Sequence, residues 1–416
     1  MNNHSPYDVI VVGAGIIGIS AALQLQAQGK QVLVLDKLGV AAETSSGNAG
    51  AFAFADVIPL ATPGIMKKAP KWLFDPLGPL SLRPAYALKI IPWMFQFWRA
   101  SWANRYQAAL AAQANLMKLS QSALERQIIL VGGEHLIRRE GQLQLYEGEA
   151  EFKASLAGWE TRKKYGVIFE LLETPDAIAS IQPGIDSRFT HAGYTPDWVN
   201  VVHPATWTQF LADAFVNLGG AISVASVESL EVTNRGVELH VGQGSYRADQ
   251  VVLAAGAWSK KLAQSLGDNL PLDTERGYNT TLPEGAFDLK THLTFSNHGF
   301  VVSKAGEGVR VGGAVELGGL KLKPNYHRAS VLLSKAANFL PTLNTQGGQQ
   351  WMGFRPSMPD SLPVISYASK TNRVIYAFGH GHLGLTQSAG TAELVCQLIN
   401  NQKPSIGMAP YSASRF

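Results

Sequence analysis

Residues 7–37, YDVIVVGAGIIGISAALQLQAQGKQVLVLDK, constrain the fold more than any other stretch of the chain. They read as strand, tight turn, helix and second strand. Asp8 to Val12 is a short run rich in β-branched residues, as suits a parallel strand covered on both faces. Gly13, Gly15 and Gly18 follow as G-x-G-x-x-G. Gly13 permits the sharp turn, Gly15 lets backbone approach a pyrophosphate, and Gly18 lets the helix pack closely on the strand. The helix predicted from Ile17 to Gln28, with Gly29 as its cap, offers free N–H groups and a positive dipole end to phosphate. The second strand, Gln31 to Leu35, ends in Asp36, 23 residues after Gly13. A carboxylate there can accept both ribose hydroxyls and disfavours a 2′-phosphate. The expectation is a dinucleotide cradle in a Rossmann-type α/β layer.

At 416 residues the chain is long for one domain. A hydrophobic content of 46% with 16% charged residues suits a packed enzyme core. The balance of 35 Lys+Arg against 31 Asp+Glu, net +4, is too mild to argue for nucleic acid. No zinc knuckle, helix-turn-helix or lysine-rich run argues for it either. Cys396 is the only cysteine, so no intrachain disulfide or cysteine metal site can form. No His/Glu metal spacing or Ser–His–Asp arrangement stands out, and no metal is expected. The N-terminus lacks a basic region followed by an apolar one. The most apolar stretch, residues 86–98, has 13 residues and carries Lys89 and Pro92, too short to cross a bilayer. A cytoplasmic location is expected.

Two further stretches bear on chemistry. In AAETSSGNAGAFAFAD, residues 41–56, the small and polar Thr44, Ser45, Asn48, Ala49 and Gly50 can wrap a large flat cofactor, which points to FAD rather than NAD. An ordinary glycine–serine loop has the same composition. In GFRPSMPD, residues 353–360, Arg355 stands between an aromatic and two prolines. Pro356 restricts Arg355 to extended backbone. Its planar fork can donate two parallel hydrogen bonds to a carboxylate, where lysine offers a point charge. Arg355 either grips a substrate carboxylate or pairs with Asp360.

Four motifs then occur in one order: ETSSGNAG, RGYNTTLP (residues 276–283), GFRPSMPDSLPVI and GHGHLGLT (residues 379–386). With them the chain resembles the D-amino-acid oxidase superfamily, and most of all its bacterial D-amino-acid and D-hydroxyproline dehydrogenases. The resemblance spans nearly the whole chain. It implies non-covalent FAD and an α/β fold in which a Rossmann-type FAD-binding domain is interleaved with an α+β antiparallel-sheet substrate domain. The expected cofactor segments are 1–60, 200–268 and 350–416, with the substrate domain at 61–199 and 269–349. It also implies that Ala255 and Gly256, closing QVVLAAGAWS, run beneath the dinucleotide, and that Val227 meets the adenine through its backbone.

For the chemistry, the resemblance implies hydride transfer from Cα of an amino acid to flavin N5, giving an imino acid that hydrolyses to a 2-oxo acid and ammonia. Arg355 would hold the carboxylate, and Tyr278 would be a second carboxylate ligand or else a core tyrosine. His382 would line the substrate pocket or tune the amine's protonation, with His380 as a structural counterpart. Gly381, Leu383 and Gly384, at the start of the last helix, would direct N–H groups at flavin N1 and O2, and Thr386 would add a hydroxyl. His382 departs from the threonine usual in broad D-alanine-type enzymes, which keeps D-proline and cis-4-hydroxy-D-proline open as substrates. An oxidase using oxygen and a flavin-bearing electron-transfer subunit are the other readings. Residues 61–105 carry seven basic residues (Lys67, Lys68, Lys71, Arg83, Lys89, Arg99, Arg105) against Asp75 alone, with eight aromatics among them. That mixture suits a peripheral contact with an anionic membrane, where a quinone could accept electrons. Solvated lysines beside aromatics packed on the substrate domain would look the same.

Overall fold

The computed structural model describes residues 7–67, 78 and 80–416. Lys68, Lys71, Trp72 and Asp75 lie outside the described residues. Strand Tyr7–Val12 sits inside an eight-stranded sheet, between Val32–Asp36 and Gly244–Leu253 and parallel to both. Ala221–Val224 and Thr371–Phe378 extend the parallel part on either side. Gly236–Val241 and Val227–Thr233 add an antiparallel ribbon, and Val364–Ala368 pairs with Thr371–Phe378. A ligand crevice forms at the carboxyl ends of such parallel strands, where the strand order reverses.

The first helix runs Ile16–Ala27, within one residue of expectation, and Gly29 beyond it takes φ +86°. Ile16, Ile19, Ala21, Ala22, Leu23 and Leu25 are all buried, because helices Pro204–Asn217 and Gly384–Ile399 pack on it as well as the sheet. A helix covered on every side needs no single apolar stripe. Gly13 has φ +112° and lies so close to the Ala254 carbonyl that a Cβ there would collide with it.

The second, nine-stranded sheet runs in the order Gln349–Ser357, Asp273–Leu282, Gly308–Leu317, Phe300–Ala305, His292–Phe295, Gln142–Glu147, Phe189–Thr195, Glu170–Leu172. It is antiparallel except where His292–Phe295 meets Gln142–Glu147 and where Leu80–Leu82 joins Gly308–Leu317. A bulge opposite Arg276 and Tyr278 leaves Ala314 at φ +56°.

The chain is shared between the two sheets differently from the expected segments in two places. Gln349–Ser357 is an edge strand of the second sheet, so the return to the first sheet comes at Val364 rather than at residue 350. Helix Ala103–Val131, inside segment 61–199, sends Ala109, Ala112, Leu116, Ala123, Leu124 and Ile128 into the core shared by the first and last helices. Small residues make this possible, with Ser120 directly against Gly390. Among the described residues no helix is long and apolar enough to cross a membrane.

Gly18 tests the close packing of the cradle. Alanine in a helix interior gains about 1 kcal/mol over glycine. Here its Cβ would run into the Gly13 carbonyl, which is backbone and cannot step aside. Overpacking of this kind costs about 1–3 kcal/mol or more. Gly18→Ala is therefore expected to lower Tm, and a Tm equal to or above that of the parent would refute the fit.

Candidate active site

One cavity of about 1050 Å³ runs from Val227, Asp36 and Lys37 past Gly13, Gly15 and Ser45 to Arg355, Gly381, His382 and Gly384. Its far end is a nucleotide cradle. Asp36 Oδ2 accepts from the Ala14 N–H at 2.8 Å, and Oδ1 accepts from Leu38 and Gly39 N–H at 2.8 and 3.0 Å. The carboxylate is thus aimed by backbone amides, with lone pairs left for ribose hydroxyls. Ser45 Oγ accepts from the Ile16 N–H at 3.0 Å, so its own proton remains free for a phosphate at the helix start. Val227, Ala255 and Gly256 line the same wall. Lys37 bridges the rim, 2.9 Å from Glu43 and 3.5 Å above the Trp258 ring. Volume, carboxylate, free N–H groups and a glycine floor fit FAD.

The loop beyond Thr44 shapes the near end. Thr44 donates to the Phe354 carbonyl at 2.8 Å. The Asn48 side chain folds the loop on itself, donating to the Ser45 carbonyl and accepting from the Gly50 N–H. The Gly50 carbonyl accepts from Val201 N–H.

Arg355 lies on the cavity-facing side of Gln349–Ser357. It arches over Gly277, where a Cβ would strike its guanidinium, and Nη1 donates to the Ala314 carbonyl at 2.9 Å. The bulge supplies that carbonyl, a common use of bulges beside sites. Asp360 does not pair with Arg355: it accepts two bonds from Arg415, at 2.7 and 3.1 Å. Glu275, directly across the ladder, is the acid that faces Arg355. Burial raises the Glu275 pKa while Arg355 opposes the rise. Burial likewise lowers that of Arg355, against the pull of Glu275.

Tyr278 sits on the opposite face of Asp273–Leu282, since alternate residues point to opposite sides. Its phenol donates to Glu316 at 2.9 Å and accepts from the Asn325 N–H at 2.9 Å. Arg276 shares Glu316 at 3.2 Å. This geometry commits the Tyr278 phenol to a buried network rather than to Arg355. Thr386 is committed too, accepting from Ala53 N–H at 3.0 Å and donating to the Ala51 carbonyl. Leu383 is buried against Ala53, Trp198 and Met117. Gly381 and Gly384 do line the cavity, at the start of helix Gly384–Ile399.

His382 is accessible through the cavity, yet crowding by protein lowers its pKa, helped by Arg355 and opposed by Asp56. It also borders a second cavity of about 340 Å³, shared with Ala49, Asn279, Thr294, Val301 and Arg310. Gly277, Glu275, Asn279 and Arg310 were not singled out from sequence. An arginine inside the glycine-rich strand pattern VRVGG was the available signal for the last of these.

His380 is fully enclosed, its Nε2 3.0 Å from Thr391 Oγ1, and burial pushes its pKa down to about 3. His292 is likewise pushed to about 3. Both are neutral in the fold, whereas an unfolded histidine takes up a proton near pH ~6.5. Between about 6.5 and about 3 the unfolded chain binds more protons, so stability is full above that window and falls as pH falls through it. Each histidine should contribute about 1.4 kcal/mol per pH unit there. Urea unfolding at several pH values, compared with that of His380→Asn, should give a shallower slope for the variant; equal slopes would remove His380 from the account.

Residues 8–398 match the family model described as FAD dependent oxidoreductase. The chain is 34% identical to a D-amino-acid oxidase of Bradyrhizobium diazoefficiens, with 98% of both chains covered. It is 30% identical to a D-amino acid dehydrogenase of Rhizobium rhizogenes, over 98% of this chain and 99% of the relative. Among solved structures, glycine oxidase from Geobacillus kaustophilus superposes with a TM-score of 0.76 at 21% identity, covering 99% of each chain. L-proline dehydrogenase from P. horikoshii also gives 0.76, at 18% identity over 99% of this chain and 98% of its own. The overall fold is thus shared with these solved structures, and the chain belongs to the family of FAD-dependent oxidoreductases.

Proposed function

We propose that the chain oxidises an amino acid at Cα, with D-amino acids as the substrate class, giving an imino acid that hydrolyses to a 2-oxo acid and ammonia. The observation that carries this reading is the single cavity joining the cradle to Arg355. The D-hand rests on the relatives named D-amino-acid oxidase and D-amino acid dehydrogenase. Bound FAD supplies the acceptor for the hydride that leaves Cα. The protein's part is positioning. Arg355 receives the α-carboxylate in its fork, held extended by Pro356 and steadied by the Ala314 carbonyl. Glycine at 277 leaves the guanidinium room to reach the substrate. His382, below its ordinary pKa mainly through burial and hence neutral at pH ~7, lines the pocket as an uncharged hydrogen-bonding group beside the substrate amine. Tyr278 acts from behind the sheet, bracing Glu316 and the Asn325 backbone. The His382 wall leaves cyclic donors such as D-proline or cis-4-hydroxy-D-proline within the class.

Arg355→Leu removes a charge-assisted pair whose loss costs about 2–5 kcal/mol. KM for the amino acid should rise about 30-fold to several-thousand-fold, with FAD retained. Gly277→Ala should raise KM in the same direction by displacing the guanidinium. An unchanged KM in Arg355→Leu sinks the clamp, and anaerobic bleaching of the flavin by D- but not L-amino acids tests the hand.

The electron acceptor is a membrane quinone, reached from an anionic lipid surface. Helix Ala87–Ala100 buries Ile90 and Trp93 and turns the opposite face outward. Leu88 is 83% exposed, Ile91, Phe95 and Trp98 continue its stripe at helical spacing, and the exposed Trp102 beyond the helix packs edge-on against Trp98. Lys89, Arg99 and Arg105 flank it, and residues 80–105 contain no acid. Tyr86 and Lys89 also line the large cavity, so this surface adjoins its wall. The protein should sediment with phosphatidylglycerol vesicles and less with phosphatidylcholine ones, and Phe95→Glu with Trp98→Glu should abolish the difference while leaving turnover with a soluble acceptor. Equal sedimentation with both lipids, or rapid reoxidation by oxygen alone, would refute it.

A further inference from the structure

The cavity-facing side of the second sheet is laid out in rows. Arg355 pairs with Glu275, Gly353 with Gly277, and then Trp351, Asn279, Gly312, Val301 and Thr294 stand side by side. Thr281 and Arg310 form the next row. Because alternate residues share a face, all of these look toward the cofactor loop. Arg355 arches over Gly277, which brings its guanidinium to the edge of the glycine row. The second cavity has Asn279, Gly312 and Arg310 of the next rows in its lining and shares His382 with the large cavity.

Arg310 is an unusual arginine. It is 6% exposed, and its contacts are neutral: Nε donates to Thr281 Oγ1 at 2.9 Å, Nη1 to the Asn48 carbonyl, and Nη2 lies 3.5 Å from His203 Nε2. These use three of its five N–H groups. Burial pulls its pKa down to about 10, and among the described residues no carboxylate opposes the shift. Arg355, by contrast, faces Glu275. Among the described residues no Asp, Glu or Lys lines the second cavity. A buried guanidinium without an anion is costly and gains from one.

We propose that the second cavity receives the side chain of the amino-acid substrate and that Arg310 makes it selective for a second carboxylate, so that dicarboxylic amino acids are the preferred donors. This rests on the reading that Arg355 holds the α-carboxylate. The Gly277 and Thr281 rows are about 13 Å apart at about 3.3 Å per residue. An aspartate- or glutamate-sized chain, with a charge-assisted bond of about 2.8 Å at each end, spans that interval. A lysine or arginine side chain would place like charge against Arg310 and is excluded.

The test uses the FAD-loaded protein. Anaerobic flavin reduction is measured with D-aspartate against D-asparagine, D-glutamate against D-glutamine, D-alanine, D-lysine and the L-enantiomers. Calorimetry compares succinate with butyrate as redox-inert ligands. Each carboxylate is expected to exceed its uncharged partner by about tenfold or more in kcat/KM or affinity, which is about 1.4 kcal/mol or more. In Arg310→Gln these ratios should fall to within about threefold of one, with Arg310→Lys between. Arg310 also ties the Asn48 carbonyl; should the variants not fold, the ratios of the unaltered protein decide alone. Ratios at or below one in that protein, or ratios unchanged in Arg310→Gln, overturn the subsite. Bleaching by monocarboxylic amino acids alone overturns it too and leaves amino-acid oxidation standing. No bleaching by any amino acid removes both.

Discussion

Three hydrogen bonds fasten the cofactor loop to the substrate sheet. Thr44 donates to the Phe354 carbonyl, Asn279 donates to the Gly47 carbonyl at 2.7 Å, and Arg310 donates to the Asn48 carbonyl. Neutral bonds of this kind contribute about 0.5–1.5 kcal/mol net and charged ones about 1.5–3. Their geometric effect is larger than their energy. They tie the residue preceding Arg355 to the loop expected under the flavin, so the distance between that loop and Arg355 is set by direct contact. Trp351 packs against Gly47 so closely that a Cβ there would collide with the indole. Chemistry that depends on holding Cα close to an acceptor loses rate steeply with displacements of about 1 Å, and this joint limits them.

The electrostatics of the cavity follow from how each charge is balanced. Arg355 and Glu275 face each other on paired strands, and each is pushed toward its neutral form by burial while the partner resists. No direct ion pair joins them, so each only partly offsets the other's burial across the ladder. Arg276 uses a similar device on the far face, where Glu316 and three backbone carbonyls take its donors. Among the described residues Arg310 has no such acid. The histidines of the last turn differ in exposure: the His380 ring is buried against Thr391, while His382 is exposed toward the cavity.

The outward stripe of helix Ala87–Ala100 contrasts with the rest of the surface. Monomeric proteins seldom leave contiguous large apolar side chains in water, and here Leu88, Ile91, Phe95 and Trp98 follow one helix face. The same helix buries Trp93, whose Nε1 reaches the Ser357 carbonyl at 3.3 Å. Contact at the outer face is therefore mechanically close to the strand that carries Arg355.

The cradle was legible because it is local. Strand, turn, helix, strand and Asp36 lie within thirty-odd consecutive residues, and each glycine has a steric reason that spacing alone exposes. The stiff frame around Arg355 was legible for the same reason. Its partner was not. Asp360 stands five residues away in sequence, yet it belongs to Arg415, and the acid facing Arg355 is Glu275, eighty residues earlier. The face of Tyr278, the commitment of Thr386 to Ala51 and Ala53, and the place of Gln349–Ser357 in the second sheet depend likewise on strand register. Sequence by itself determined the nucleotide layer, the family and the residue types that chemistry needs, because short-range geometry dictates them. Which side chains meet was decided only by the tertiary structure, because a register shift of one residue turns every side chain of a strand to the other face.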